Sequence, residues 1–126
     1  MTSIEPELWV ERPDDATAFY EAAFGATVVH RVGHDDEVVA QLTVDAARFW
    51  VSNTAANRFS PRTLGGATGR LLLVVTDPDA TFAEAIQAGG VELAAPADEH
   101  GWRLGRLVDP AGHEWEIGHP LGDWPT

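Results

Sequence analysis

The sequence contains no cysteine, has few basic residues, and has no long apolar run. Without cysteine, neither a disulfide nor thiolate chemistry is possible. Eight basic against 20 acidic side chains give a formal net charge of −12, which argues against nucleic acid or an anionic membrane surface as a partner. The acidic excess is compatible with a cationic ligand and equally with simple solubility.

The N-terminal residues also lack the basic start and apolar stretch of a secretory signal. No apolar segment approaches the roughly 20 residues that a membrane-spanning helix needs. We therefore expect a cytoplasmic protein without a membrane partner.

What the chain does contain is an internal repeat. The stretch "PDDATAFYEAAFGA" (residues 13–26) resembles "DPDATFAEAIQAGG" (residues 77–90), with Asp-Ala-Thr repeated at an offset of 64. One strand-like run precedes each stretch and three follow it, so the chain is read as two copies of one module. We predict an α+β fold in which two βαβββ modules form a curled mixed sheet around a shared cleft. Module one spans residues 4–53, a linker spans 54–68, and module two spans 69–120 of a single domain, 1–126.

The strands are predicted from period-two alternation and β-branched content. They cover residues 5–12, 27–32, 37–44, 47–52, 70–76, 91–96, 102–108 and 113–118. We expect Asp14 or Asp15 to cap the first helix, and Asp77 or Asp79 to cap the second.

The closing segment "GWRLGRLVDPAGHEWEIGHPLG" (residues 101–122) resembles the Asp-Pro-x-Gly turn and final strand of the vicinal oxygen chelate superfamily. That superfamily includes glyoxalase I, extradiol dioxygenases, fosfomycin-resistance enzymes and bleomycin-binding resistance proteins. The resemblance covers nearly the whole chain, but it is not specific for one reaction. It implies a ligand cleft between modules and a homodimer, with modules paired within or across chains.

In metal-dependent members, the ligands come from the first and last strands of each module. Glu116 matches the glutamate ligand of the last strand, and Glu5 or Glu7 falls where the first strand would supply another. Residues 49–52 and 71–73, at the other two positions, are poor metal ligands. We therefore predict no bound metal. The alternative is one divalent ion held by Glu116 together with Glu5 or Glu7.

Alternation also predicts which side chains line the cleft. Carboxylates among aromatic and apolar walls suit a planar cation, because ring faces stack on flat ligands and attract positive charge. The predicted ligand-binding residues are Glu5, Glu7, Trp9, Trp50, Leu71, Leu73, Trp102, Glu114 and Glu116. We expect Trp115 and Trp124 to be structural instead.

The histidines permit a second metal hypothesis. His30 and His34 flank a hairpin that carries Asp35 and Asp36, although a solvated turn explains the same residues. His113 is expected to satisfy the backbone groups of a turn rather than to bind a ligand.

The predicted function is a small-molecule-binding protein of the bleomycin-resistance type. It would sequester a planar, cationic compound in an acidic, aromatic cleft, without catalytic residues or a cofactor. The alternative is a metal-dependent lyase, isomerase or dioxygenase of the glyoxalase type. A third possibility is an enzyme without metal that uses a cleft carboxylate as a general base.

Overall fold

The computed structural model describes residues 1–35 and 37–123 of the chain. The turn residue Asp36 and the predicted structural Trp124 lie outside this part. The strands are β1 (Glu7–Val10), β2 (Thr27–Val32), β3 (Val39–Val44), β4 (Ala47–Asn53), β5 (Arg70–Val74), β6 (Val91–Glu99), β7 (Trp102–Val108) and β8 (Glu114–Pro120). The helices are α1 (Pro13–Phe24), α2 (Pro61–Leu64) and α3 (Pro78–Gln87).

The strands form two four-stranded sheets, which confirms the α+β fold with two βαβββ modules. The first sheet has the order β1-β4-β3-β2, and the second has the equivalent order β5-β8-β7-β6. In each sheet the first strand pairs in parallel with the last, and the other pairings are antiparallel. This pairing places the first and last strands of each module side by side in the sheet.

Both sheets contribute one face to a single hydrophobic core. Leu8 and Val10 of the first sheet and Trp115 and Ile117 of the second are buried in the same cluster as the inner faces of α1 and α3. The rings of Phe49 and Trp115, one from each sheet, meet edge to face with centroids 5.6 Å apart. Trp115 is 3% exposed, which agrees with its predicted structural role. We call the face of each sheet that is turned away from this core its uncovered face.

A buried carboxylate connects the two modules. Asp109, in the turn before β8, accepts hydrogen bonds from the Tyr20 hydroxyl of α1 and from Nε1 of Trp115, the latter at 2.9 Å. Its other oxygen accepts from the backbone N–H groups of Ala111 and His113. The Asp-Pro-x-Gly turn therefore holds module two against the helix of module one.

The two long helices begin differently, and one predicted cap is wrong. Asp77 caps α3 by accepting a hydrogen bond from the Ala80 N–H at 3.2 Å, as expected. Helix α1 begins at Pro13 with Arg12 at the N-cap and no side-chain cap. Asp14 and Asp15 lie inside its first turn, two and three residues past the N-cap, where their charges still interact favourably with the positive end of the helix dipole.

Two further segments differ from the predictions. Strand β6 continues past Pro96 to Glu99, because it is the edge strand and its register shifts between Ala94 and Ala97, where the missing N–H of proline is tolerated. The predicted linker contains the short helix α2, which Ser60 caps by accepting from the Thr63 N–H at 3.3 Å. Within residues 1–35 and 37–123, no helix is long and apolar enough to span a bilayer.

Candidate functional site

The uncovered face of the first sheet brings together four of the predicted ligand-binding residues. Parallel pairing of β1 with β4 sets Glu7 beside Trp50 and Trp9 beside Ser52. Because Leu8 and Val10 are buried in the core, alternation directs Glu7 and Trp9 away from it. Glu5, just before β1, joins the same group through its contact with Trp50.

Glu5 is held as an ionised carboxylate. Its Oε1 accepts hydrogen bonds from Nε2 of Gln41 at 2.8 Å and from Nε1 of Trp50 at 2.9 Å. These two bonds, that of Gln41 first, lower the pKa of Glu5 below its ordinary value, because they stabilise the charged form. The bond from Trp50 also fixes the orientation of the indole ring. The ring of His30 lies edge-on to that indole at 6.4 Å.

Glu7 makes the equivalent arrangement one pair further along the strands. Its Oε2 accepts from the buried Ser52 hydroxyl at 2.7 Å and from Nε1 of Trp9 at 3.3 Å. Two carboxylates are thus each bonded to the N–H edge of an indole, so both tryptophans are oriented by a negative charge.

The uncovered face of the second sheet carries a different group, built around Glu116. Arg106 donates from Nε to one oxygen of Glu116 at 2.9 Å and bonds Glu99 through its other nitrogen. Nε of Arg70 lies 3.5 Å from the second oxygen of Glu116. Glu99 raises the pKa of Arg106, and Arg106 in turn lowers the pKa of Glu99. Glu116 is therefore neutralised within its own sheet.

Three other predicted residues belong to the second sheet. Glu114 is half-buried, and its register partners on the two neighbouring strands are Arg70 of β5 and Val108 of β7. Trp102 opens β7 opposite Pro120, also half-buried. Among the described residues, no hydrogen bond or ion pair joins Glu5, Glu7, Trp9 or Trp50 to Glu114 or Glu116. The structure thus brings the predicted residues together in two groups, one on each sheet.

The predicted placement of Leu71 and Leu73 on the cleft face is wrong. They pair with the buried Trp115 and Ile117 and pack against the core. The exposed residues of β5 are Arg70, Leu72 and Val74, and the cross-strand partner of Glu116 is Leu72. Counting from Leu8, the repeat offset of 64 leads to exposed Leu72, whereas 65 leads to Leu73 on the core side. A shift of one residue moves every side chain of a strand to its other face.

A cavity of 320 Å³ lies where the first module, the linker and the second module meet. It extends along Glu7 and Trp9 of β1 and reaches Arg70 at the start of β5. On the linker side it is bounded by Phe59 and Leu64, which are 47% and 58% exposed. His113 also borders it, and its Nε2 is 2.9 Å from the backbone oxygen of Trp9. The side chain of His113 therefore contacts the backbone of β1, whereas the sequence predicts that it hydrogen-bonds to backbone groups of its own turn.

These donors do not form the metal site that metal-dependent relatives would need. Glu116, at the position of the family glutamate, is paired with two arginines, and Trp50 and Ser52 stand on the last strand of module one. Within residues 1–35 and 37–123, no group of three or more His, Asp or Glu side chains is arranged to hold an ion. The residues of one chain therefore do not fit a resident divalent cation. His30 and His34 are both exposed, but only His34 lies in the segment after β2, whereas His30 lies within β2 beside Trp50.

Sequence reasoning missed the residues that organise the two groups. Gln41 and Ser52 bind the carboxylates of the first sheet, and Arg70 and Arg106 neutralise Glu116. The alternation of β7, with Leu107 inward, would have placed Arg106 on the same face as Glu116.

Comparison with known proteins agrees with this architecture. The family model described as "Glyoxalase-like domain" matches residues 7–118. An uncharacterized protein of Mycobacterium tuberculosis is 32% identical, over 94% of this chain and 75% of that protein. A member of the glyoxalase/bleomycin resistance protein/dioxygenase superfamily from Sphaerobacter thermophilus has a similar structure, with a TM-score of 0.75, 16% identity, and coverage of 94% and 98% of the two chains. TnmS3, an antibiotic binding protein from Streptomyces sp. CB03234, gives a TM-score of 0.73 at 20% identity, covering 95% and 97%.

Paired βαβββ modules, each with its first and last strands side by side in the sheet, define the class: a vicinal oxygen chelate fold, as the closing motif indicated. More narrowly, the chain belongs to the glyoxalase-like domain family.

Proposed function

We propose that this protein binds and sequesters a planar, cationic small molecule, as the bleomycin-resistance type does. One observation carries the proposal: two carboxylates, Glu5 and Glu7, are each hydrogen-bonded to an indole on the uncovered face of the first sheet. Nothing in that group requires a chemical step, so binding alone is the function it supports best.

The physical basis of binding is charge combined with stacking. The hydrogen bonds from Gln41 and Trp50 keep Glu5 anionic, so a cation arriving beside it meets a full negative charge. The indole N–H groups are already satisfied by the carboxylates, which leaves the ring faces of Trp9 and Trp50 for a flat, electron-poor guest. The fold that this chain shares with the antibiotic binding protein TnmS3 supports a binding role.

Tryptophan fluorescence tests the proposal. Proflavine, a planar cation, should quench the protein, whereas neutral acridine at mildly alkaline pH should quench it much less. Glu5→Gln should weaken proflavine binding by about tenfold, the worth of one hydrogen-bonded charge. Trp50→Leu should remove most of the quenching.

Glu92→Gln is the matched control, because Glu92 is an exposed glutamate of the edge strand β6 and should leave binding unchanged. Equal quenching by proflavine and acridine, or an unaltered affinity in Glu5→Gln, would contradict the proposal.

A homodimer is part of the same proposal. Within residues 1–35 and 37–123, no hydrogen bond or ion pair joins the carboxylates of the first sheet's uncovered face to the arginines of the second sheet's uncovered face. Leu72 and Val74 are 45% and 52% exposed on the second of these faces. A second copy that brought its second sheet opposite the first sheet would cover these side chains and enclose the ligand from both sides. A cytoplasmic location stays a prediction from the sequence.

A further inference from the structure

The cavity beside Glu7 and Trp9 contains groups that a simple cation does not use. Its linker wall presents Phe59 and Leu64, two large apolar side chains that are about half exposed to water. Trp9 faces the same space from β1. Covering such surface releases roughly 25 cal/mol for each square ångström of apolar area, so the cavity favours a ligand with a sizeable apolar body.

Arg70 gives this cavity a positive group with unused hydrogen-bonding capacity. Among the described residues its guanidinium donates no hydrogen bond, and its ion pair with Glu116, at 3.5 Å, is longer than a hydrogen bond. Glu116 is better bound to Arg106, at 2.9 Å. The planar fork of an arginine matches a carboxylate in two-point contact. Arg70 is therefore the natural partner for an anionic group.

The surroundings argue against an anion as the whole ligand. The protein carries a formal charge of −12, and Glu7 borders the same cavity. A guest with only a negative charge would be repelled by both. A guest with one positive and one negative group would meet Glu7 and Arg70 with the correct sign at each.

We infer that the cavity takes a zwitterionic ligand on an aromatic body, with its ammonium group toward Glu7 and its carboxylate toward Arg70. The aromatic body lies among Trp9, Phe59 and Leu64. This inference rests on the proposed function, since Glu7 and Trp9 belong to both, and it adds the anionic group that the ligand must carry. It also assigns the segment around α2 to the ligand site.

Three probes with one naphthalene body separate the two charges: naphthylalanine, naphthylethylamine and naphthylpropionate. Their affinities are measured by amide chemical shifts of Gly66 and Gly69, which border the cavity, and by the indole N–H signal of Trp9. Naphthylalanine should bind most tightly. Arg70→Gln should weaken naphthylalanine and naphthylpropionate by about tenfold and leave naphthylethylamine unchanged. Glu7→Gln should weaken naphthylalanine and naphthylethylamine instead.

The matched control is Arg31→Gln, an arginine of similar exposure (39% against 45%) that pairs with Asp14 on the first module. It should bind all three probes like the unmodified protein, and the rest of the amide spectrum reports that each variant is folded. If naphthylethylamine binds as well as naphthylalanine and Arg70→Gln changes neither, the carboxylate subsite is overturned while the proposed function stands. If none of the three probes binds, this inference is overturned, and the proflavine experiment decides the proposed function separately.

Discussion

At the scale of single residues, the carboxylate of Asp109 is tightly held. It is 2% exposed and accepts four hydrogen bonds, from two backbone N–H groups, the Trp115 indole and the Tyr20 hydroxyl. Burial, followed by the nearby charge of Asp109, raises the pKa of Tyr20 well above its ordinary value of 10.0. The free energy of unfolding is therefore expected to fall at alkaline pH, where Tyr20 ionises in the unfolded chain.

Tyr20→Phe should lower the free energy of unfolding by about 1–3 kcal/mol at neutral pH, because a buried carboxylate loses one donor. The folded protein holds the Tyr20 proton more tightly than the unfolded chain does. That stabilisation is therefore fully present below about pH 10 and is lost as pH rises toward the pKa of the folded state. Denaturant titrations between neutral and strongly alkaline pH should show a steep decline in the unmodified protein and a shallower one in Tyr20→Phe.

The chain has one tyrosine and no lysine, so the alkaline titration is simple to assign. Tyrosinate absorbance should appear only together with unfolding. Ionisation of the folded protein near the ordinary value of 10.0, or equal alkaline slopes in the two proteins, would contradict the buried hydrogen bond.

At the scale of elements, the two long helices show how equivalent segments acquire different ends. Asp77 is the N-cap of α3, while α1 has an arginine at that place and no side-chain cap. Asp77→Ala should therefore cost about 1 kcal/mol, typical of a lost cap. Urea denaturation measures this, with Glu84→Ala as the control, since Glu84 is an exposed acidic residue of the same helix whose side chain makes no hydrogen bond or ion pair within the described residues. Equal losses in the two variants would show that the cap contributes nothing.

Most of the elements could be predicted from the sequence because alternation and turn residues act locally. Alternation in β1 predicted that Leu8 and Val10 pack in the core, and the placement of Glu5, Glu7 and Trp9 on the opposite face followed from it. The sequence "RLLLV" of β5 does not show which residues face the core, because its apolar side chains do not alternate with polar ones. The repeat offset supplied the wrong phase, since the helix sequences match at 64 while the strands require an odd shift.

The remaining site residues depend on contacts between distant strands. Arg70 lies 46 positions before Glu116, and Arg106 lies 10 positions before it. The ion pairs of Glu116 with these two arginines could therefore be predicted only from the strand order β5-β8-β7. Nothing local in "EWEIG" distinguishes a free glutamate from one held between two guanidinium groups.

At the scale of the whole molecule, the two uncovered faces differ in character. The first carries Glu5 and Glu7, and the second carries exposed Leu72 among arginines that are paired with carboxylates of their own sheet. We expect the protein to sediment as a homodimer, at about twice the 13.6 kDa of the chain. Leu72→Glu should shift it to a monomer, because the new carboxylate would be buried against the acidic first sheet of the other copy.

Leu121→Glu provides the control, since Leu121 is 56% exposed and follows the last strand rather than lying within a sheet. Analytical ultracentrifugation at micromolar concentration distinguishes the outcomes. A monomeric unmodified protein, or a Leu72→Glu variant that remains dimeric, would contradict pairing through this face.

The single core has a consequence for how the chain is made. The residues that cover the inner face of the first module include Trp115, and the partner of Tyr20 is Asp109, so module one leaves the ribosome with its hydrophobic face and its tyrosine hydroxyl unmatched. These partners are present only once the chain has been synthesised through β8. During translation the nascent first half is therefore a candidate client for chaperones, and slow codons placed after module one would prolong that exposure without helping it to fold.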